Sequence, residues 1–522
     1  MLAEHLDFLF VIPPEDRCIY ERLLPQQSPL LDALELIDWN ALDTVVCRYY
    51  SKDHGQPAIP PLIMLKLEYL RYHFRLSNRQ VVARAQTDLL LRWFLQVPIQ
   101  FMMPDASSLT KFRGRLGADG FKAVFDQLIA SARQAGLVQD RLRLKDATHI
   151  LANVAVPTTL TLLAQLRRKM LDVIGQIDPE VAAGFEIQAE QVRLDTEQAE
   201  PELKLQERLA LVIDILLWLQ EQTAPLQEAS LYEQRLWQKL LSVRQLAEKI
   251  VNDFQNPGQG DRTLSVVDPD ARQGKHGEFY DGYLLDIMVD ADSQLITQLE
   301  VLPANGQEAM DAVHLVQMEQ QAHGNQIKQL SIDGAGFHGP MLRELEDPAS
   351  LAVDVIAPPS KSITLDRTSS AEFELNEDGT WVTCPAGVTS NAAWTKKEHP
   401  NATFFDFPKR ACASCPLRPQ CHPDMKPNAR QGRRVSKNEY ELEYERAREK
   451  SKTTAYQEVR REHPTVERKF NEIVRHQGGR RAQFWGRAKV MSQQTMTCFT
   501  VNVKRIAKLL KGEVRVSGIA MG

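Results

Sequence analysis

The sequence has little that would commit its 522 residues to a membrane or to export. No apolar run is long enough to span a bilayer, since the longest, residues 209–219, is interrupted by Asp214. The opening stretch, Met1 to Asp7, has no basic segment and no small-residue cleavage site, which predicts a chain without a secretory leader. Cysteine is scarce, at seven in the whole chain, so a reducing compartment, the cytoplasm, is expected rather than a disulfide framework. An excess of one charge is also missing. A net charge of −5 does not announce a nucleic-acid binder, so any such surface has to be local. What is present is an ordinary globular composition, 43% hydrophobic and 25% charged, long enough for roughly two to four domains.

Residues 1–136 read as helical. Pro60-Pro61 opens a helix whose apolar residues recur at helical spacing, and Ser77 is placed to cap another that carries Arg79. Asp105-Ala106-Ser107-Ser108 starts a third, leading to Lys111 and Arg113. Short helices with basic first turns permit a helix-turn-helix, although such patterns are more often a plain helical bundle. From Val138 the pattern turns to alternation that ends at Asp146, which predicts a strand. Residues 158–258 read as a helical insertion, with Leu162, Leu166, Met170 and Ile174 on one face and Leu209, Ile213, Leu216 and Leu217 on a second. After the linker Asn256-Pro257-Gly258-Gln259-Gly260, strands are expected at 283–289 and 295–301, joined by a turn at 290–293. A helix over 307–322, a strand ending at Asp333, a helix over 339–345 and a strand over 353–357 complete the pattern. The fold class is therefore α/β. Segments 137–157 and 259–365 build a mixed five-stranded sheet in the order of an RNase H-like core. An all-α N-terminal domain, the helical insertion, a small Cys-rich insertion over 366–436 and a C-terminal region over 437–522 are added to it.

Three acids stand out. Asp146 and Asp333 each end a predicted strand, and Glu467 lies in the helical pattern Thr465-Val466-Glu467-Arg468-Lys469-Phe470. Such a set suits a hard divalent cation, Mg2+ or Mn2+, and phosphoryl transfer. A lone strand-end Asp is more often a cap or turn residue, and Glu462 and Glu472 rival Glu467 in helix phase. Asp268 and Asp270 read as turn residues, and His149 as a structural hydrogen-bonding group. Cys384, Cys412, Cys415 and Cys421 have the donor types of a structural zinc site. Unligated thiols, a disulfide, or His422 in place of one cysteine remain alternatives. This region is proline-rich, with little expected core, and Cys18, Cys47 and Cys498 are expected to be buried. Beyond Glu467 the charge turns basic at Arg475, Arg480, Arg481, Arg487 and Lys489, continuing to Lys504, Arg505, Lys508 and Lys511. With Phe484-Trp485 as aromatic surface, this stretch suits a DNA backbone beside a metal site. Arg79, Lys111 and Arg113 are candidate DNA contacts of the N-terminal helices.

Several stretches together resemble bacterial insertion-sequence transposases of the DDE type, in the group with an N-terminal helical domain and a late cysteine cluster. They are Leu76-Ser77-Asn78-Arg79-Gln80, Pro104-Asp105-Ala106-Ser107-Ser108-Leu109-Thr110-Lys111-Phe112-Arg113, Asp146-Ala147-Thr148-His149-Ile150-Leu151-Ala152-Asn153, Asp268-Pro269-Asp270-Ala271-Arg272, Val301-Leu302-Pro303-Ala304-Asn305, Asp333-Gly334-Ala335-Gly336-Phe337, and the Glu467 segment. The departures are Ala147 where glycine is common, Phe337 where tyrosine is usual, and a longer insertion after the first strand. The resemblance implies an RNase H-like catalytic domain with Asp146, Asp333 and Glu467 as its triad, Asp146 bridging two ions. It implies cleavage and strand transfer at transposon ends, with double-stranded DNA (terminal inverted repeats and target) as partner. It further implies a homodimer on paired ends and a nucleoid-associated place in the cytoplasm. The alternatives are a Mg-dependent DNA nuclease without strand joining and a transposase-derived DNA-binding protein.

Overall fold

A computed structural model of the chain describes residues 11–520 apart from 223–229, 259, 360–367, 369, 397–398 and 427–428. Met1 to Asp7 and the linker residue Gln259 lie outside the described residues. Seven described helices come first: α1 (Pro14–Leu23), α2 (Pro29–Leu36), α3 (Trp39–Cys47), α4 (Pro61–His73), α5 (Asn78–Thr87), α6 (Leu89–Leu95) and α7 (Ser107–Gln134). Ser77 caps α5 reciprocally with Gln80, each side chain accepting the other's backbone N–H. At the start of α7 the Ser107 N–H donates to Asp105. The helix breaks at Gly117, whose φ of 62° a residue with a Cβ adopts only at a cost. Nearly every residue of α4 is buried, so it runs through the middle of the bundle.

The sheet has six strands: β1 (Leu142–Leu151), β2 (Arg272–His276), β3 (Glu278–Asp290), β4 (Ile296–Pro303), β5 (Gln329–Ser331) and β6 (Asp354–Ile356). The long β3 pairs antiparallel with β2 along its first part and with β4 along the rest. On its other side lies antiparallel β1, followed by β5 and β6, each parallel to its neighbour. Five strands match the expected ones. The sixth, β2, is short and polar and so shows no strand pattern. Gly282 sits where β3 passes closest to β1, and a Cβ there would lie 1.9 Å from the Ile150 carbonyl oxygen.

Between β1 and β2 the chain forms α8 (Thr159–Ile177), α9 (Pro179–Asp195), α10 (Pro201–Glu221) and α11 (Leu231–Gln255), which share a core of their own. Leu162, Leu166, Met170 and Ile174 face that core as expected. Of the second stripe Leu216 is buried and Leu209 and Ile213 pack against the core, but Leu217 is exposed, and Leu211, Val212, Ile215 and Leu219 are buried as well. Next come α12 (Glu308–His323) before β5 and α13 (Gly339–Glu346) before β6.

The Cys-rich region holds two three-stranded sheets, β7 (Glu374–Leu375), β8 (Val382–Thr383) and β9 (Thr389–Ser390), then β10 (Ala393–Lys396), β11 (His399–Asp406) and β12 (Arg434–Asn438). The short helices α14 (Lys409–Ala413) and α15 (Arg418–Cys421) lie between β11 and β12. Contrary to expectation the region has a core, formed by Phe373, Val382, Phe405, Phe407 and Val435. Its alternation is hidden because most of its strands are only two to five residues long.

The chain ends with α16 (Glu441–Ser451), α17 (Thr454–Glu462), α18 (Pro464–Asn471) and α19 (Arg487–Ala520). One apolar core joins Leu67 of α4, Phe125 of α7, Leu144 of β1, Ile287 of β3, Val466 of α18 and Phe499 of α19. The N-terminal helices and the sheet are thus held by shared burial, the dominant favourable contribution to folding. The opposite face of β1 is buried too. Arg143 is fully covered and bonds Glu319 of α12 and Asp290 of β3, while Lys145 pairs with Asp286 at 2.7 Å. Cys498 is buried, Cys47 is half-buried, and Cys18, expected inside, is exposed. Among the described residues no helix is long and apolar enough to cross a membrane.

Candidate active site

The parallel register of β1 and β5 sets Leu144 beside Ser331. Two residues further along each chain come Asp146 and Asp333. Alternation along β1 returns Asp146 to the face of Leu144, and Asp333, just past the end of β5, lies near enough to raise the Asp146 carboxyl. Asp333 is still extended, with φ −72° and ψ −166°, before the chain turns at Gly334. Each carboxylate takes one nearby N–H, Asp146 from Ala147 at 2.8 Å and Asp333 from Ala335 at 3.0 Å.

The helices α17 and α18 cover this face. Ser331 Oγ lies 3.1 Å from Nδ1 of His463, and Arg460 donates to Ser331 Oγ and to the Ile332 carbonyl. Val466 of α18 shares the core with Leu144. Glu467 stands one helical turn beyond His463, on the same side of α18. It is exposed, and among the described residues it makes no hydrogen bond or ion pair. Its rivals are both engaged, Glu462 with Arg141 at 2.8 Å and Glu472 with Lys469 at 2.9 Å.

Burial pushes the Asp146 carboxyl up to about 7, with Asp333 and Glu308 adding to the shift and the Ala147 N–H and Lys145 opposing it. Burial also brings His463 down to about 4, so its imidazole is neutral at pH 7. Two carboxylates side by side, one of them desolvated, lack the positive charge that a divalent cation would provide. Among the described residues, however, no three acid, imidazole or thiol side chains come close enough to hold one metal ion. Asp146 and Asp333 are brought together. Glu467 stands on the covering helix without closing on them.

Asp268 and Asp270 do more than form a turn. Asp268 accepts the Gly486 N–H and the Tyr283 hydroxyl, and Asp270 accepts the Arg487 N–H at the start of α19. Carboxylates at a helix N-terminus are favourable, but nothing in the sequence links these positions across two hundred residues. His149 packs against Tyr280, ring centroids 5.0 Å apart, in keeping with a structural role. Of the candidate DNA contacts, Arg79, Lys111, Arg475, Arg481, Arg487 and Lys489 are exposed, and Arg480 is half-buried. Arg113 is held by the fully buried Glu68 at 2.9 Å and lies over the Phe484 ring. In the basic C-terminal run, Arg505 donates to the Ser293 carbonyl and Lys511 pairs with Asp32, so that run is not a continuous open stripe.

Cys384, Cys412, Cys415 and Cys421 line one cavity of about 290 Å³ together with His422. Burial pushes the Cys421 thiol up, Arg433 draws it back, and the other three thiols push it further. All seven cysteines are free. The thiols share a cavity but do not converge to ligating distance.

Two families match the chain. A transposase domain (DUF772) matches residues 19–115, which run from within α1 into α7. A transposase DDE domain matches residues 383–507, a span that contains the four clustered cysteines and Glu467. No curated protein and no solved structure matches. One transposase domain at the start and a transposase DDE domain near the end support an insertion-sequence DDE transposase, an enzyme of metal-dependent phosphoryl transfer on DNA.

Proposed function

We propose that Asp146, Asp333 and Glu467 are the metal-binding triad with which this transposase cleaves transposon ends and joins them to target DNA. The observation that carries this reading is the register that sets Leu144 beside Ser331, two residues before Asp146 and Asp333, with His463 tying the Glu467 helix to Ser331. The strand order, with β3 between β4 and β1 and then β5 and β6, favours an RNase H-like core. A bound pair of Mg2+ or Mn2+ ions would activate the attacking oxygen and stabilise the leaving one. Burial and Asp333 raise the Asp146 carboxyl to about 7 against the pull of the Ala147 N–H and Lys145, and a bound cation would favour its carboxylate form. Asp333 and Glu467 each supply a further carboxylate. The neutral His463 and Arg460 fix the covering helices against β5.

Arg79, Lys111, Arg475, Arg480, Arg481, Arg487 and Lys489 hold the DNA backbone in this reading, and Arg113 supports them by packing on Phe484. The four clustered cysteines would hold zinc, which would supply a structural tie between the small sheets. Two copies act on paired ends, and the enzyme works in the cytoplasm on nucleoid DNA. The test is a strand-transfer assay with a labelled 3′-hydroxyl end and Mg2+. Wild type yields joined product and Asp146→Asn yields none. Cleavage without joining would make the enzyme a nuclease, and binding alone would make it a DNA-binding derivative.

A further inference from the structure

The loop from Gly478 to Arg487 extends the site. The Arg480 carbonyl accepts the Leu151 N–H and the Ala482 N–H donates to the Leu151 carbonyl, so the loop lies alongside the end of β1. The Arg480 guanidinium reaches Thr148 Oγ1 at 3.2 Å and the His149 carbonyl, and it has no carboxylate partner among the described residues. Five residues later the Trp485 indole N–H donates to the Asn153 carbonyl at 3.0 Å. The residue remains 52% exposed. A tryptophan tethered by its edge and open to solvent is a platform, since it contributes little to a core.

Trp485 lines a cleft of about 550 Å³ with Gln165, Arg168, Lys169 and Asp172 of α8 and with Val266 and Val267. This is within the range of small-molecule sites. Three features of the cleft point to one class of occupant. Val267 is also exposed, which gives the ring an apolar neighbour. Arg168 puts an exposed cation on the rim. The Gln165 amide oxygen is buried and receives no hydrogen bond, an arrangement that costs stability until a donor arrives. An apolar side chain would cover the ring but leave that oxygen unpaired. A nucleobase has a flat π face, an exocyclic amine to donate, and phosphates on either side.

We infer that this cleft binds one unpaired nucleobase of the DNA strand leaving the carboxylates, stacked on Trp485 with its amine on Gln165. Arg480 and Arg168 hold the flanking phosphates. From Asp146 to Asn153 is roughly 20 Å along β1, a few nucleotides of extended strand. The inference rests on the DNA-transacting reading of the enzyme, and the test separates the two. The full-length protein, without metal, is titrated with a dye-labelled duplex bearing a short single-stranded extension and with the same duplex blunt. Trp485→Ala is expected to weaken binding of the extended duplex roughly tenfold, the size of one lost base stack, and to leave the blunt duplex unchanged. Trp485→Phe keeps most of the affinity. Wild type prefers an adenine extension to a thymine one, which lacks the amine, and Gln165→Leu removes that preference. Equal weakening of both duplexes, or no weakening of either, overturns the inference while leaving the transposase reading intact. Failure of wild type to bind either duplex strikes the DNA reading itself.

Discussion

Ser331 and His463 meet at 3.1 Å, joining β5, which stops two residues before Asp333, to the helix that carries Glu467. One partner lies two residues before its acid and the other one helical turn before its own. The pair therefore sets the separation of two carboxylates it does not include. His463→Ala is expected to lower the rate of end cleavage by about 10–100-fold, the scale of a small misplacement of reacting groups. KM for DNA should not change, and stability should fall by only about 1 kcal/mol. His463→Asn, which keeps a hydrogen-bonding group, should restore part of the rate. A loss confined to DNA affinity would contradict this role.

Arg113 acts through packing. Glu68 is fully buried and binds both Arg71 and Arg113. Glu68→Gln would leave two cations without their counter-charge and should cost about 3 kcal/mol or more in chemical denaturation. Arg113→Gln should likewise destabilise the fold while leaving the salt dependence of DNA binding unchanged. Arg481→Gln should show the reverse pattern, reducing the salt slope by about one.

Lys66 is a buried cation between the Trp39 and Phe94 rings, and burial brings its pKa down from 10.5 to about 8. Below pH 8 the folded protein carries a charge that it holds unfavourably. As pH rises from 8 to 10.5 the unfolded chain keeps a proton that the folded chain has lost, so stability rises. The gain is of order 3 kcal/mol across that window. Unfolding measured at pH 7 and pH 10 should show wild type gaining on Lys66→Met, and parallel curves for the two would contradict the assignment.

The two aspartates were legible because each follows a short alternating run and precedes turn-forming residues, so their strand-end positions could be read locally. Glu467 could not be separated from Glu462 and Glu472 on sequence, because helix phase is set by which side packs. Val466 and His463 pack α18 toward the sheet, Glu467 is left without an ion pair among the described residues, and Arg141 and Lys469 occupy the rivals. The alternation 141–146 predicted a strand, but not that its charged face is buried on Glu319 and Asp286. Those partners lie more than a hundred residues away. Arg113 looked like surface for the same reason, as its partner Glu68 sits inside an apolar helix.

The cysteine cluster carries a separate prediction. Protein purified without chelator should contain about one zinc per chain, and Cys412→Ser or Cys415→Ser should lose it. Chelation should make the region around residues 366–436 the first site of proteolysis. A zinc-free preparation of equal protease resistance would remove zinc from the account.

Sharing of divalent ions by Asp146, Asp333 and Glu467 is read out by Mn2+ titration of the full-length protein followed by electron paramagnetic resonance. Asp146→Asn and Asp333→Asn are predicted to abolish specific Mn2+ binding, and Glu467→Gln to weaken it at least tenfold, while Glu462→Gln and Glu472→Gln bind as wild type does. Undiminished binding by Glu467→Gln, with loss in either of the other two glutamate variants, would contradict the account.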